Sequence, residues 1–380
     1  MTLGAVECRG YKAFHGSTRL NMRRLTIVFG KNNSGKTTLA RLPIFATASL
    51  ISRQLVTLRS RDVSFGSSFS DLTSSDDPHP SLFIKVTLED GKSLAVQLQR
   101  VTTYHPHEVI QPLRLTIDDT IEVERKLSEV AIRAPEGALV DSLRGQDKRR
   151  FANRVRELKR INDTTIHIPG ARPRIVPAYS MREPVDNTAE EAVYMLANDS
   201  DLQSRVDRWF VDHVDGTRIV VDRAAFAFQL LTIRQEGAVN LAHSGRGTQS
   251  LLPVVTLLLA NISTQTPASM IALEEPEEHM HPSAHGAIAD LLISASERSK
   301  VIVETHSENL ILRLRRRIAE RMLSPDDLGL YYVDEWHNVI PIEVTADGIP
   351  TNWPVGVFES DVTEAQAIIE ARMSAMKGLR

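Results

Sequence analysis

The sequence predicts an α/β protein in which a mixed sheet carries an antiparallel β lobe and a helical insertion. Three observations support this fold class. An apolar segment near the N-terminus runs into a glycine turn and then a helix, and several segments between residues 82 and 123 alternate apolar with polar residues. Short, wholly apolar runs lie beside helical patterns in the last third of the chain. Together these patterns indicate buried parallel strands and a half-exposed antiparallel sheet in one protein.

The N-terminal segment begins with two predicted strands, Leu3–Cys8 and Leu25–Phe29. The second is an apolar run that ends at Gly30, a residue typical of a tight loop after a strand. A helix is expected from Lys36. Pro43 lies within that helix and cannot donate a backbone hydrogen bond, so we expect it to kink or shorten the helix.

An antiparallel lobe is predicted next. Leu82–Leu88 and Ser93–Val101 flank a Glu-Asp-Gly-Lys turn, which is typical of a β-hairpin, and Leu113–Val123 extends the same pattern. We therefore assign residues 1–125 to an N-terminal lobe that contains this antiparallel subdomain.

The middle of the chain changes to charged helical sequence over Lys126–Ile161 and again over Thr188–Val211. This stretch is too long to be a loop, so residues 126–225 are predicted to be a mainly helical insertion. Residues 226–380 return to the core, where Ile271–Leu273 and Val301–Val303 have the form of buried parallel strands, and they end in a short C-terminal tail.

Composition excludes some classes of protein. No apolar stretch approaches the roughly 20 residues that cross a bilayer, so no membrane span or membrane partner is expected. The single cysteine, Cys8, rules out an internal disulfide framework and fits a cytoplasmic location. A net charge of −3 provides no global attraction to nucleic acid, so any DNA binding would depend on local patches.

A phosphate-binding loop, Gly30-Lys-Asn-Asn-Ser-Gly-Lys-Thr37, matches the pattern G-x-x-x-x-G-K-[ST] between a strand and a helix. Backbone N–H groups of such a loop wrap phosphates, the lysine reaches the terminal phosphates and the threonine ligates Mg²⁺. ATP is favoured over GTP because no Asn-Lys-x-Asp motif is present. The predicted phosphate-binding residues are Gly30, Asn32, Asn33, Ser34, Gly35, Lys36, Thr37 and Thr38.

A second motif, Met270-Ile-Ala-Leu-Glu-Glu275, is an apolar strand that ends in two acids. Carboxylates at the carboxyl end of a buried strand emerge where ligands bind in α/β sheets, and a Mg²⁺ ion offsets the cost of burying them. We expect Glu274 to hold Mg²⁺ together with Thr37, and Glu275 to polarise the attacking water.

The order of four motifs resembles that of ABC-type ATPases of the OLD, RecF and SMC branch, including the AAA-family ATPases common in bacterial phage-defence cassettes. The motifs are the phosphate loop, His243-Ser-Gly-Arg-Gly247, Leu273-Glu-Glu-Pro-Glu-Glu-His-Met-His-Pro282 and Glu304-Thr-His-Ser-Glu308. The resemblance implies a P-loop NTPase fold of ABC-ATPase type and an ATP-clamped homodimer. It also implies catalytic roles for Lys36, Glu275 and His306, the last as a sensor of the γ-phosphate.

The same resemblance makes Ser244, Gly245 and Gly247 a signature motif that closes on the nucleotide of the other protomer. Small residues at a helix N-terminus suit this role, since they let the backbone approach an anion. Glu274 departs from the family pattern, which has aspartate at that position, so the division of roles between Glu274 and Glu275 stays open. No glutamine is assigned to the family's Q-loop.

Two further features are weighed against simpler interpretations. His279, His281 and His285 could suggest zinc, but they match the family's loop after the acidic strand. The arginines of residues 313–317 and the basic residues of 148–160 could grip DNA phosphates, although such runs are more often solvated faces or partners in salt bridges.

Two functions follow from the sequence. The first is an ATPase whose ATP-driven dimerisation controls a partner effector, a nuclease or toxin encoded nearby, in anti-phage defence. The alternative is a DNA repair or chromosome-maintenance ATPase similar to RecF or SMC that binds DNA directly. A transporter ATPase fits less well because of the insertion and the segment Glu274–Pro282.

Overall fold

The computed structural model describes residues 2–61, 63–73, 80–102, 108–124, 138–180, 184, 188–224, 227–235, 237–355 and 357. Part of the predicted helical stretch Lys126–Ile161 and most of the C-terminal tail lie outside these residues. The strands are β1 (Leu3–Arg9), β2 (Thr18–Asn21), β3 (Leu25–Gly30), β4 (Arg59–Ser60), β5 (Val63–Ser64), β6 (Ser81–Leu88), β7 (Ser93–Thr102), β8 (Glu108–Ile117), β9 (Thr120–Glu124), β10 (Ile166–Ile168), β11 (Tyr179–Ser180), β12 (Arg218–Arg223), β13 (Ala227–Arg234), β14 (Gly237–Asn240), β15 (Met270–Glu274), β16 (Lys300–Glu304), β17 (Leu328–Val333) and β18 (Val339–Ile342). The α-helices are α1 (Lys36–Ile51), α2 (Ala138–Asp141), α3 (Gly145–Asp163), α4 (Thr188–Asn198), α5 (Ser200–His213), α6 (Arg246–Ser263), α7 (Pro282–Ser296) and α8 (Glu308–Ala319).

A central sheet of six strands has the order β10-β15-β16-β3-β17-β18. All neighbours are parallel except β18, which runs antiparallel to β17. Leu273 of β15 is in register with Val303 of β16, which is in register with Ile27 of β3. The parallel order brings the carboxyl ends of β15, β16 and β3 to one edge of the sheet.

Both faces of this sheet are covered, which is why β15 and β16 are buried at every position. Alternate residues of β3 point to opposite faces. Ile27 and Phe29 pack in the core that includes α4 to α8, whereas Val28 packs in the core that includes α1, α3 and the antiparallel lobe. The sheet is thus the middle layer between two hydrophobic cores.

The antiparallel lobe is a second six-stranded sheet with the order β2-β1-β6-β7-β8-β9. The predicted hairpin is present as β6 and β7, with Ile84 opposite Val96, and β8 and β9 continue the sheet. The mixed α/β fold with an antiparallel lobe therefore agrees with the prediction.

The first helix differs from its expected length. α1 passes through Pro43 and continues to Ile51. Leu42, Ile44 and Phe45 around the proline are buried, and this packing offsets the one backbone hydrogen bond that proline cannot donate. The expected shortening at Pro43 is wrong.

The predicted insertion of residues 126–225 contains α3, α4 and α5, and it also contains strands that the sequence pattern did not predict. β10 joins the central sheet beside β15, and β11 and β12 pair with β13 in a separate antiparallel sheet that β14 completes. α3 packs against α1. This segment therefore contacts the core at β10 and α3, and it brings His167 and Arg172 to the edge of the central sheet.

Within the described ranges, no helix combines the length and the apolar character that a membrane span requires.

Candidate nucleotide site

The phosphate loop has a backbone that only glycine fits at its start. Gly30 has a φ of 153°, and a Cβ added to it would lie 2.2 Å from the carbonyl oxygen of Val333 on β17. Gly35 and Asn33 also have positive φ values, 99° and 62°. The loop between β3 and α1 is therefore folded tightly by residues that tolerate left-handed conformations.

Two polar side chains of this loop are buried. Ser34 is 1% exposed, and its hydroxyl has no hydrogen-bond partner among the described residues. Lys36 is 4% exposed and donates from Nζ to the carbonyl oxygen of Lys31. Burial lowers the pKa of Lys36, while Glu304 and Glu275 act in the opposite direction. A buried hydroxyl without a partner beside a buried cation fits an anionic phosphate.

The remaining predicted phosphate-binding residues lie at the surface of the same loop. Asn32 and Asn33 are exposed at its tip, and Thr38 is half-buried in the first turn of α1. The turn between β17 and β18 braces this loop, because His337 Nδ1 lies 2.8 Å from the Ser34 carbonyl oxygen and Glu335 pairs with Lys31 at 3.2 Å.

An acid–histidine group lies at the same edge of the sheet. Ligand atoms of Glu275, Glu304 and His306 all lie within 4.8 Å of one another. His306 Nε2 is 3.3 Å from Glu275 Oε1, and the Thr37 hydroxyl donates to Glu304 Oε1 at 2.7 Å. The structure thus brings together Glu275, His306 and the phosphate-loop residue Thr37, all predicted from the sequence, and adds Glu304, which was not. Hydroxyl and carboxylate oxygens are the donors that Mg²⁺ takes.

Burial dominates the titration of this group. It raises the pKa of Glu304 to about 7, against the hydrogen bond from Thr37 and with further raising by the charges of Glu274 and Glu275. Burial also lowers the pKa of His306, and the nearby Lys36 lowers it further. The larger shift belongs to Glu304, which is 3% exposed, whereas the His306 side chain is 37% exposed.

Backbone contacts fix the positions of these side chains. Glu275 has a φ of 44° and donates from its backbone N–H to the Glu304 carbonyl oxygen at 2.8 Å. Glu277 is 7% exposed and accepts hydrogen bonds from the Thr305 hydroxyl and from the His306 backbone N–H. Hydrogen bonds therefore connect the two loops that follow β15 and β16.

Glu274 has partners other than this group. Its carboxylate pairs with Arg41 and His167, and it also accepts from the Gly170 backbone N–H. Burial acts to raise the pKa of Glu274, but the hydrogen bonds from Arg41 and His167 outweigh burial and hold that pKa at about 2. The side chain expected to hold Mg²⁺ is thus engaged in an ion pair.

The signature residues lie at the N-terminus of α6. The Ser244 hydroxyl donates to the Leu241 carbonyl oxygen at 2.8 Å, and Gly245 is exposed. A Cβ added to Gly247 would lie 2.5 Å from the carbonyl oxygen of His279, so the loop after β15 packs directly on this glycine. A cleft of about 340 Å³ adjoins the helix N-terminus. Its lining includes Arg172, Arg174, Arg246, Gln249 and Glu278.

Arg172, which the sequence did not single out, links the signature helix to the acidic strand. Its side chain is 3% exposed and donates to the Ser250 hydroxyl of α6 at 2.8 Å. It also donates to the carbonyl oxygens of Glu274 at 3.1 Å and Glu275 at 2.8 Å. Arg172 therefore connects α6 to the end of β15 through hydrogen bonds.

The arginines of residues 313–317 are engaged within the chain. Arg313 and Arg317 pair with Asp290, and Arg316 and Arg317 pair with Glu320. Arg315 donates to the backbone carbonyl of residue 348. These contacts fit the interpretation of the cluster as intramolecular salt bridges.

A parallel sheet of this strand order, with a phosphate loop after β3 and acids after β15 and β16, defines a P-loop NTPase. Residues 25–313 match the family model described as "AAA domain, putative AbiEii toxin, Type IV TA system". The chain belongs to this family, whose description names an AAA domain.

Solved structures similar to this chain include SMC head domains. A SmcHead bound to the C-winged helix domain of ScpA shares 13% identity, covers 92% of this chain and 97% of its own, and gives a TM-score of 0.48. The SMC head domain from Thermotoga maritima shares 13% identity, covers 90% and 100%, and gives 0.45. A Smc head with an extended coiled coil, bound to a ScpA domain derived from Pyrococcus furiosus, shares 12% identity, covers 98% and 99%, and gives 0.48. No curated protein matches the sequence.

Proposed function

We propose that this protein binds and hydrolyses ATP with Mg²⁺, that two copies close around two ATP molecules, and that this closure controls a partner effector in bacterial anti-phage defence. The observation that carries the proposal is the meeting of the phosphate loop with the acid–histidine group at one edge of the sheet. Lys36, Thr37, Glu275 and His306 converge there from three different parts of the chain.

Each of these residues has a role that its position supports. Backbone N–H groups of the phosphate loop and the Lys36 ammonium would hold the phosphates, and Thr37 would supply one oxygen to the metal. Bound Mg²⁺ would neutralise charge on the terminal phosphates. Glu275 orients the attacking water and accepts its proton, and His306, 3.3 Å from Glu275, senses the γ-phosphate.

Dimerisation supplies the remaining contacts. Gly245 and Arg246 are exposed at the N-terminus of α6, where the helix dipole favours an anion. In the proposed dimer, Ser244, Gly245 and Gly247 of one copy face the terminal phosphate on the other copy. Each nucleotide is then held by a phosphate loop from one chain and a signature motif from the other.

The effector is proposed to be a nuclease or toxin encoded nearby, and the setting to be the bacterial cytoplasm. The description of the family, which names a toxin and a toxin–antitoxin system, supports a defence role. Direct DNA binding, the alternative, has less support because Arg313, Arg316 and Arg317 already pair with Asp290 and Glu320.

Glu275→Gln tests the proposal. The variant should bind ATP normally and hydrolyse it at least about 100-fold more slowly, because a neutral amide cannot accept the proton of water. It should also accumulate as a dimer with ATP, which light scattering measures. Normal hydrolysis by this variant would contradict the role of Glu275, and a wild-type protein that binds no ATP would contradict the whole proposal.

A further inference from the structure

Two acids lie side by side at the ends of neighbouring strands. Glu274 ends β15, Glu304 ends β16, and the two residues are in register. They are 5% and 3% exposed. Two buried carboxylates at adjacent positions repel each other unless each acquires a cation or a proton. The partners of each acid therefore show which one is available to a metal.

Glu274 has no free acceptor position. Arg41 Nε donates to its Oε1 at 2.5 Å and Arg41 Nη2 to its Oε2 at 2.7 Å. His167 Nε2 lies 2.9 Å from Oε1, and the Gly170 backbone N–H donates to Oε2 at 3.2 Å. A carboxylate offers about four lone-pair positions, so these four contacts fill it.

Glu304 is differently placed. Its Oε1 accepts from the Thr37 hydroxyl at 2.7 Å, and within the described part of the chain it pairs with no lysine or arginine. Its neighbours are instead Glu275 and His306. The carboxylate is thus adjacent to the phosphate-loop threonine, and Lys36 lies near enough to act on its charge but forms no ion pair with it among the described residues.

Helix α1 explains why the two acids differ. Thr37 and Arg41 are four residues apart, so they share one face of the helix and are about 6 Å apart along its axis. Thr37 is at the phosphate end and contacts Glu304, whereas Arg41 is one turn further along and contacts Glu274. Of the two acids, Glu304 therefore lies nearer the phosphate-loop end of α1.

We propose that Glu304, together with Thr37, holds the Mg²⁺ of the bound nucleotide, and that Glu274 is a positioning residue locked by Arg41 and His167. The proposal rests on the proposed ATPase function and reassigns its metal ligand. Mg²⁺ is usually held by one or two carboxylates together with phosphate oxygens. Glu304 can provide the carboxylate, and the hydroxyl of Thr37 can provide a further oxygen ligand. Glu274 acts through Arg41 by fixing the first turns of α1 beneath the phosphates.

Glu304→Gln and Glu274→Gln form a matched pair of tests. Each variant replaces one carboxylate oxygen by an NH2 group and keeps the size of the side chain. In Glu304→Gln the amide carbonyl can still accept the hydrogen bond from Thr37. The affinity for a non-hydrolysable ATP analogue is measured with Mg²⁺ and with EDTA, and Mn²⁺ binding is followed by the electron paramagnetic resonance signal of the free ion.

Glu304→Gln should keep the affinity measured in EDTA and lose about tenfold or more of the enhancement by metal. Glu274→Gln should keep that enhancement within about threefold, and should lower the thermal unfolding midpoint because the Arg41 charge loses its partner. If Glu274→Gln alone does not fold, the double variant Arg41→Gln/Glu274→Gln removes both charges and takes its place.

The assignment is overturned if Glu274→Gln abolishes the metal enhancement while Glu304→Gln keeps it, or if Glu304→Gln responds to metal as the wild type does. A wild-type protein that binds the analogue equally with and without metal also overturns it. These outcomes leave the ATP site itself in place. Failure of the wild type to bind the analogue at all overturns both proposals.

Discussion

The charged side chains at the two ends of the central sheet have different partners. At the amino ends of its strands, Lys300 pairs with Glu89 and donates to the Met22 carbonyl oxygen, and Arg24 pairs with Asp327. At the carboxyl ends, Glu275 and Glu304 lie together with His306. The nearby Lys36 donates to the backbone carbonyl of Lys31. The amino end neutralises its charges within the protein, whereas at the carboxyl end Glu274 pairs with Arg41 while Lys36, Glu275 and Glu304 hold charges that a phosphate and a metal would neutralise.

Removing one buried lysine from each end gives the largest expected contrast. Lys36→Ala should abolish hydrolysis and weaken ATP binding, because the phosphates lose their cation. Lys300→Met keeps the aliphatic stem at the other end and should leave turnover within about twofold of the wild type. Phosphate release measures both, and equal inactivity of the two variants would show general damage instead of a local site.

A smaller difference is expected between Arg172, which connects α6 to the end of β15, and Arg298, whose side chain donates to α6. Arg172→Lys should lower kcat by about tenfold and change KM little, because one ammonium cannot hold Ser250 and two strand-end carbonyls together. Arg298→Lys is the control, since among the described residues Arg298 donates to the carbonyl of Ile262, near the C-terminal end of α6. Steady-state kinetics measure kcat and KM for both variants. Equal changes of kcat in the two variants would contradict the role of Arg172.

The contrast between the two ends also explains what the sequence could predict. Lys36, Glu275 and His306 are predictable because each belongs to a local motif with fixed spacing to a strand. Glu304 also has a local signal, namely its place between the apolar strand β16 and His306. The partners His167 and Arg172 have none, because β10 joins the sheet through long-range pairing that no local periodicity encodes.

The fold shows the same division. The β6–β7 hairpin follows from alternation and turn residues, both of which are local. Helix α1 was expected to be kinked or shortened by Pro43, but it continues to Ile51, because the burial of its residues outweighs the propensity of one proline.

Substitutions of Gly245 and Gly247 test the packing at the N-terminus of α6. Gly247→Ala should destabilise the fold by about 1–3 kcal/mol, because the new methyl group would lie 2.5 Å from the His279 carbonyl oxygen. Gly245→Ala has open space around it and should change stability much less. Chemical denaturation of both variants would contradict the structure if Gly247→Ala were as stable as Gly245→Ala.

Cys8 in the antiparallel lobe should show the smallest effect, which is no reaction at all. Cys8 is 0% exposed, and burial raises the pKa of its thiol to about 12. Because the thiolate forms only as pH approaches this raised pKa, the native protein should not react with a disulfide reagent at neutral pH. Reaction before any loss of secondary structure on mild denaturation would reveal local opening of β1.

The central claim, that the charged end of the sheet forms a shared site with a second copy, is tested most directly by mixing inactive variants. Lys36→Ala fails through its phosphate loop, and Ser244→Arg should fail because a large cation blocks the signature helix from the partner's nucleotide. A mixed dimer of the two contains one site with both halves intact.

ATP hydrolysis is measured after subunit exchange, with a mixture of Lys36→Ala and Glu275→Gln as the control, since both of those defects fall on the same half of the site. We predict recovery of up to about a quarter of wild-type turnover in the first mixture and none in the control, because half of the dimers in an equal mixture are mixed and each has one intact site. Equal inactivity of both mixtures despite demonstrated exchange, or hydrolysis by Ser244→Arg alone, would contradict the shared site.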